Sequence, residues 1–217
     1  MKAKPDKPAG LYVHIPFCLR KCRYCDFFST EDLSLQQFYT EAVCREMEMV
    51  EEAFSIFDTL YIGGGTPSVL APVAIEQIIE SASKCFSLAS DCEITLEVNP
   101  GTVTRKSLGA YRDFGVNRLN IGVQSFDDAN LRFLGRIHSA SDARSSVEWA
   151  RSAGFDNIGL DLIFGLPGQD KTNWLGDLTA AVDIEPEHLS CYMLTCEPGT
   201  PLDRDVKTGR IRLAAEG

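Results

Sequence analysis

Leu11–Ser29, LYVHIPFCLRKCRYCDFFS, gathers three of the chain's eight cysteines, Cys18, Cys22 and Cys25, into one short loop at C-x3-C-x2-C spacing. Three thiolates so placed can hold three irons of a cubane cluster and leave the fourth iron open to an outside ligand. A cage of four cysteines suits electron transfer, whereas a cage of three suits a cluster that must grip and reduce a substrate directly. Phe17, Tyr24 and Phe27 are expected to shield such a cluster from water and to help set its potential. Structural zinc is the competing assignment, but it normally takes four ligands in paired C-x2-C units. No partner pair follows: Cys44, Cys85, Cys92, Cys191 and Cys196 are scattered, with no second C-x2-C and no H-x3-H.

Upstream, MKAKPDKPAG carries charge but no apolar h-region, so no secretory signal is expected and residues 1–9 are expected to form a mobile tail. A cytoplasmic location, where thiols stay reduced, agrees with this. With 217 residues and 44% hydrophobic content, one domain of ordinary size is expected. The absence of any run of 18 apolar residues argues against a membrane span. A net charge of -10 argues against nucleic acid as a partner, because backbone-phosphate binding needs clustered lysine and arginine.

Leu11–Ile15 reads as a strand feeding the cysteine loop. Beyond the loop, Ser34 with Gln37 forms a candidate capping box, and Leu35, Phe38, Tyr39, Ala42, Val43, Met47 and Val50 recur at helical spacing, which predicts a core-facing helix. Thr59–Ile62 is a second strand, followed at once by Gly63-Gly64-Gly65-Thr66-Pro67. Glycines there let a ligand touch the backbone, yet the run lacks the G-K-[ST] of a P-loop and does not spell G-x-G-x-x-G. A helix near Pro72–Phe86 precedes Glu93–Val98, where period-two alternation predicts a strand carrying Glu97 near its end. The plan repeats with a helix near Thr104–Phe114 stopped by Gly115, and then strand Arg118–Val123 running into Gln124. A helical segment with Leu131 and Leu134 leads to Arg136, which can fork onto a carboxylate, and to His138, expected in solvent. Helix Ser141–Ala153, strand Asn157–Phe164, helix Asn173–Val182 and strand His188–Leu194 complete the series, and Thr195–Pro201 is expected to be loop. Asp161 stands inside an apolar run, where a carboxylate needs a donor such as a ribose diol. His14 and His188 are expected to be structural.

YVHIPFC, YCDF and GGGTP together closely resemble the radical S-adenosylmethionine superfamily, in the branch holding the anaerobic coproporphyrinogen III dehydrogenases and the related haem chaperone group HemW. The likeness runs from Leu11 to about Pro201. It implies that the open iron of a 4Fe-4S cluster binds S-adenosylmethionine and that the reduced cluster splits it into methionine and a 5'-deoxyadenosyl radical. It further implies metal ligation by Cys18, Cys22 and Cys25, with aromatic contacts from Tyr12 and Tyr24. Gly64, Gly65 and Thr66 would meet the methionine end and Arg136 its carboxylate. Glu97, Gln124 and Asp161 would hold amino or ribose groups, with a backbone contact from Thr195 near the adenine.

Six successive strand-then-helix units argue for a parallel α/β sheet, and an open doubly wound sheet would show the same local pattern. Together with the resemblance, they favour a partial (β/α)6 barrel, with special residues at the strand C-termini. The expected organisation is a core domain over 10–205 and, over 206–217, the start of the C-terminal region into which family members continue. The dehydrogenases carry a further cysteine two residues after the third ligand; here Phe27 stands there, which favours the haem chaperone group. The resemblance implies haem or a porphyrinogen, a haem-accepting protein and a flavodoxin-like or ferredoxin-like reductant as partners. A porphyrinogen oxidase is the alternative function, and a cluster domain without independent activity is a third.

Overall fold

The structure, a computed structural model, describes residues 9–53 and 56–213. Most of the expected mobile tail therefore lies outside the described residues, and Ala9 already belongs to the first strand. Six strands, β1 (Ala9–Ile15), β2 (Ile56–Gly64), β3 (Ser87–Val98), β4 (Arg118–Gln124), β5 (Ile158–Phe164) and β6 (His188–Met193), form one sheet. All neighbours are parallel and the spatial order follows the chain order, so β1 and β6 are the edges of an unclosed partial barrel. This α/β arrangement is the one expected from the sequence.

Helices α1 (Gln36–Val50), α2 (Pro72–Cys85), α3 (Arg105–Asp113), α4 (Asp128–Leu134), α5 (Ala140–Ser152), α6 (Lys171–Val182) and α7 (Pro201–Lys207) connect or follow the strands. Period two divides the sheet into two faces. Val13, Ile15, Leu60, Ile62, Leu96, Val98, Leu119, Ile121, Leu160 and Leu162 are buried in the main core, which also takes in Ile75 and Ile78 of α2, Leu108 of α3 and Val147 of α5. The opposite parity is polar and aromatic: Tyr12, Tyr61, Glu97, Asn120 and Asp161 stand on neighbouring strands, with Tyr12 paired to Tyr61 and Glu97 to Asn120.

Local chemistry explains several boundaries. Thr104, Ser139 and Asp170 each cap a helix in a reciprocal box, and Gly115 takes a left-handed φ of 98° just after the end of α3. The expected Ser34–Gln37 box is not formed. Asp32 instead accepts from Ser34 N and caps a 3-10 turn, Leu33–Leu35, and α1 begins behind that turn without a side-chain cap. The α1 stripe is also only half used: Met47 is buried and Tyr39 and Val43 pack on the core, whereas Phe38 is 71% exposed and Leu35 48%. Helix α7 begins at the last residue of the expected Thr195–Pro201 loop and was not assigned from the sequence. Thr200 caps it, and Leu202 buries in a second, smaller core with Leu134, Ile163, Leu166 and Leu194.

Leu96 lies fully buried on a central strand. Leu96→Ala should cost about 3 kcal/mol, within the range for buried leucine truncations, read as a lowered urea midpoint with an unchanged slope.

Candidate functional site

At the C-terminal ends of β1 and β2 the cysteine loop folds back over the glycine run. Thr30 N–H donates to Pro16 O (2.7 Å) and Cys18 N–H to Thr30 O (3.0 Å), closing the base of the loop. Gly65 N–H then donates to Ile15 O (2.7 Å) and Thr66 N–H to Phe17 O (2.8 Å). A Cβ on residue 65 would stand 2.8 Å from Phe17 O and 3.0 Å from Ile15 O, so this approach requires glycine. Gly64, with φ of 116°, packs against the ring of His14, whose Nε2 lies 3.0 Å from Phe28 O.

The far side of the loop is tied to later parts of the chain. The Arg20 guanidinium donates to the carbonyls of Gly135 and Arg136 (both 2.8 Å), Leu202 N–H donates to Arg23 O (2.9 Å), and Arg23 pairs with Asp205 of α7. The three thiols, held in this way, open on one cavity.

Cys18, Cys22, Cys25 and Tyr24 form one wall of that cavity and Gly64, Gly65 and Thr66 another. Glu97 and Gln124 at the ends of β3 and β4, Asp161 in the middle of β5 and Arg136 just beyond α4 complete it. The structure thus brings together every expected site residue except Tyr12 and Thr195, which are exposed and stand outside the cavity wall. Phe27 lies at the mouth, 68% exposed. Phe17, expected to shield the cluster, turns into the core and packs edge-on against Tyr39 at 5.5 Å.

Two carboxylates face this space. Glu97 accepts from Tyr61 Oη (2.7 Å) and Gly64 N–H (2.9 Å), yet burial, with Asp161 nearby, leaves its carboxyl above the ordinary carboxylate range. Burial likewise raises Asp161, although Asn120 Nδ2 donates to its Oδ2 at 2.7 Å. Arg136 donates to Gly122 O (2.6 Å) and points Nη1 at Cys22 Sγ (3.4 Å). Arg136 Nε and Asp161 Oδ1 are buried without a protein partner, one a donor and one an acceptor.

His138, expected in solvent, is 5% exposed. Its Nε2 lies 3.0 Å from Val123 O and its Nδ1 3.1 Å from Asn99 Oδ1. Burial, reinforced by the charge of Arg136, pushes its pKa down to about 4.

Asn99 and Asn120, which also line the cavity, were missed by the sequence analysis. A signal existed for Asn120: on β4 it shares parity with Gly122, opposite the buried Leu119, Ile121 and Val123. Gly122 makes room, since a Cβ there would stand 3.0 Å from Gln124 Nε2 and 3.3 Å from Arg136 Nη2.

The donor set fits a cubane cluster better than a single ion. Among the described residues no group of three or more His, Cys, Asp or Glu converges closely enough to hold one metal ion, while three thiols share one cavity, as irons at separate corners require. The unpartnered Arg136 Nε and Asp161 Oδ1 fit a ligand carrying both a carboxylate and hydroxyl groups, and the two partly buried acids, Glu97 and Asp161, favour a cationic one. S-adenosylmethionine has all three. Among the described residues no helix is long and apolar enough to cross a membrane.

An unclosed parallel barrel with a three-cysteine loop and a glycine run at one end defines a protein of cluster-and-cofactor type. The family model described as the Radical SAM superfamily matches residues 12–178, and the chain belongs to that superfamily. It is 37% identical over 211 residues to the haem chaperone HemW of Synechocystis (94% of this chain, 51% of that protein) and 40% identical over 198 residues to HemW of Escherichia coli (89% and 52%). It is also 37% identical to the mouse mitochondrial radical S-adenosyl methionine domain-containing protein 1, over 94% of this chain and 47% of that one. Among solved structures, E. coli coproporphyrinogen III oxidase (HemN), described as a radical SAM enzyme, superposes with a TM-score of 0.88 at 29% identity, covering 97% of this chain and 50% of that one. The chain spans about half the length of the curated relatives it matches.

His138 generates a pH prediction. Its folded pKa lies below the ordinary 6.5, so between that value and about 4 the unfolded chain takes up a proton that the folded chain refuses. Its contribution to stability is full above pH 6.5 and is lost as pH falls towards 4, by up to about 3 kcal/mol. Glu97 and Asp161, shifted upward, act in the opposite sense, so the test is a difference. Urea unfolding of His138→Asn should lose less stability than the parent over this interval; equal losses would show that His138 does not titrate as its burial demands.

Proposed function

We propose that this chain is the cluster-bearing core of a haem-handling radical SAM protein of the HemW kind, which binds haem and passes it to respiratory haemoproteins. The observation that carries this choice is Phe27, at the position where the coproporphyrinogen dehydrogenases are expected to have a further cysteine. Phe27 borders the cavity, and its side chain has neither thiol nor acid with which to serve an oxidation. The higher identity to HemW relatives, 37% and 40% against 29% to HemN, supports the same choice. Oxygen-independent oxidation of coproporphyrinogen III remains the alternative, favoured by the close superposition on HemN.

In this proposal residues 10–205 are the radical SAM core and 206–217 lead into a further region. Cys18, Cys22 and Cys25 hold three irons of the 4Fe-4S cluster, with Thr66 Oγ1 3.6 Å from Cys18 Sγ and Arg136 3.4 Å from Cys22 Sγ to offset thiolate charge. Arg136 Nε takes the carboxylate of S-adenosylmethionine, Asp161 Oδ1 accepts from its ribose, and Glu97 and Gln124 face the amino and ribose groups. Gly64, Gly65 and Thr66 let the methionine end lie against the backbone, and Tyr24 screens it from water. Tyr12 and Thr195, which stand outside the cavity wall, would supply the aromatic and adenine-side backbone contacts that the resemblance implies. When bound and reduced, the cluster supplies the electron that splits the sulfonium. The working protein is cytoplasmic, receives electrons from a flavodoxin-like or ferredoxin-like donor and meets a haem acceptor.

Cys22→Ala should abolish iron and sulfide incorporation on anaerobic reconstitution, and full incorporation would remove the cluster assignment. Asp161→Ala should weaken S-adenosylmethionine binding about tenfold or more by calorimetry, the size expected when a buried hydrogen bond to ligand is deleted, while iron content stays at the parental level. To separate the two functions, 5'-deoxyadenosine release is measured with and without coproporphyrinogen III, alongside haem titration. Haem binding with release indifferent to the porphyrinogen is expected; release that rises strongly with porphyrinogen, together with protoporphyrinogen formation, would establish the oxidase instead.

A further inference from the structure

Gln124 is one of the two non-glycine residues with positive φ among those described, at 69°, and it is buried at the back of the cavity. A left-handed conformation is uphill for such a residue and persists only where its surroundings over-determine it. Here the surroundings converge from three directions. Arg136 donates to Gly122 O (2.6 Å), the His138 ring meets Val123 O (3.0 Å), and Asp177 of α6 holds the residues just after the bend.

The Asp177 contact is the unusual one. This aspartate is 3% exposed, forms no ion pair among the described residues, and sits on a helix whose other buried residue is an alanine. Its Oδ2 accepts from Ser125 Oγ (2.7 Å) and its Oδ1 from Phe126 N–H (2.6 Å). Ser125, itself fully buried, has its remaining capacity filled by Asp127 N–H (3.1 Å) and Asn130 Nδ2 (3.2 Å). A carboxylate in such a place is costly, and two strong hydrogen bonds to one short turn offset the cost only if that turn stays where it is.

We infer that Asp177 is a positioning residue for the cofactor site: from the outer helix layer it clamps Ser125 and Phe126, and so holds the strained Gln124 amide facing the S-adenosylmethionine cavity. The inference rests on the functional reading above, in that the ligand it serves is S-adenosylmethionine. Asp177 touches no ligand itself and acts through Gln124. Only the carboxylate supplies both acceptors at once, since an amide presents one acceptor and one donor to two donors.

The test uses the full chain, reconstituted with cluster, in a double-mutant cycle of Asp177→Asn and Gln124→Ala, with S-adenosylmethionine as the titrant. Asp177→Asn is expected to weaken binding about tenfold while iron and sulfide content stay parental, and to weaken it no further once Gln124→Ala is present. Ser125→Ala, a milder change in the same clamp, should weaken binding in the same direction. Without cofactor, amide hydrogen exchange at 125–127 should accelerate at least tenfold in Asp177→Asn while exchange in β3 and β5 is unchanged. Multiplicative losses in the double variant, or parental affinity in both clamp variants, would overturn the inference. Failure of the parent chain, with intact cluster, to bind S-adenosylmethionine would overturn the functional reading on which it rests.

Discussion

The backbone clasp between the cysteine loop and the glycine run is the constraint on which the site depends. Two short hydrogen bonds, Gly65 N–H to Ile15 O and Thr66 N–H to Phe17 O, continue the β1–β2 pairing beyond the strands proper and bring Cys18 against Thr66. Nothing larger than glycine fits at residue 65 while those carbonyls stay in place. Because the loop is fastened by backbone, its thiols need no contact with one another to be positioned. All three line the cavity that the glycine run also lines.

The rest of the sheet supplies the opposite wall, and it does so by parity. One face of strands β1 to β5 is apolar and packs in the core; on the other, Glu97 stands opposite Asn120, and Asp161, opposite Gly122, lies within hydrogen-bond reach of Asn120. Burial raises both acids, and a cationic ligand beside them would favour their charged forms. Arg136 gives the same cavity a complementary feature, a buried N–H without a partner. The scaffold therefore holds both kinds of unsatisfied group in one space, and a zwitterionic sulfonium nucleoside satisfies both. At the end of β4, Gln124 adopts a conformation that only its three-sided support explains.

Much of this was legible in the sequence. Strand positions followed from period two and from branched apolar runs, and the ends of β2, β3 and β4 stood out because glycine, glutamate or glutamine broke those runs. The misses have a common physical origin in tertiary contact. His138 and Asp177 look like surface polar residues on their own segments, but His138 is buried against Asn99 and Val123, and Asp177 against Ser125 and Phe126. Phe38 and Leu35 looked like core at helical spacing but face outward, since α1 needs only Met47, Tyr39 and Val43 to pack. Helix α7 is short and follows a Pro-Gly segment, so no periodicity announced it; Leu202 and the Arg23–Asp205 pair hold it against the cysteine loop. Asp32 displaced Ser34 as cap because its carboxylate accepts from both the Ser34 amide and its hydroxyl.

The central claim is that the three-cysteine loop carries a cluster whose open iron takes S-adenosylmethionine in the cavity bounded by Arg136 and Asp161. Electron paramagnetic resonance of the anaerobically reconstituted, dithionite-reduced chain, recorded with and without S-adenosylmethionine, tests it most directly. The account predicts a 4Fe-4S signal whose g-values shift when S-adenosylmethionine is added, because the cofactor becomes a ligand of the unique iron. An intact cluster signal that is identical with and without the cofactor would contradict it.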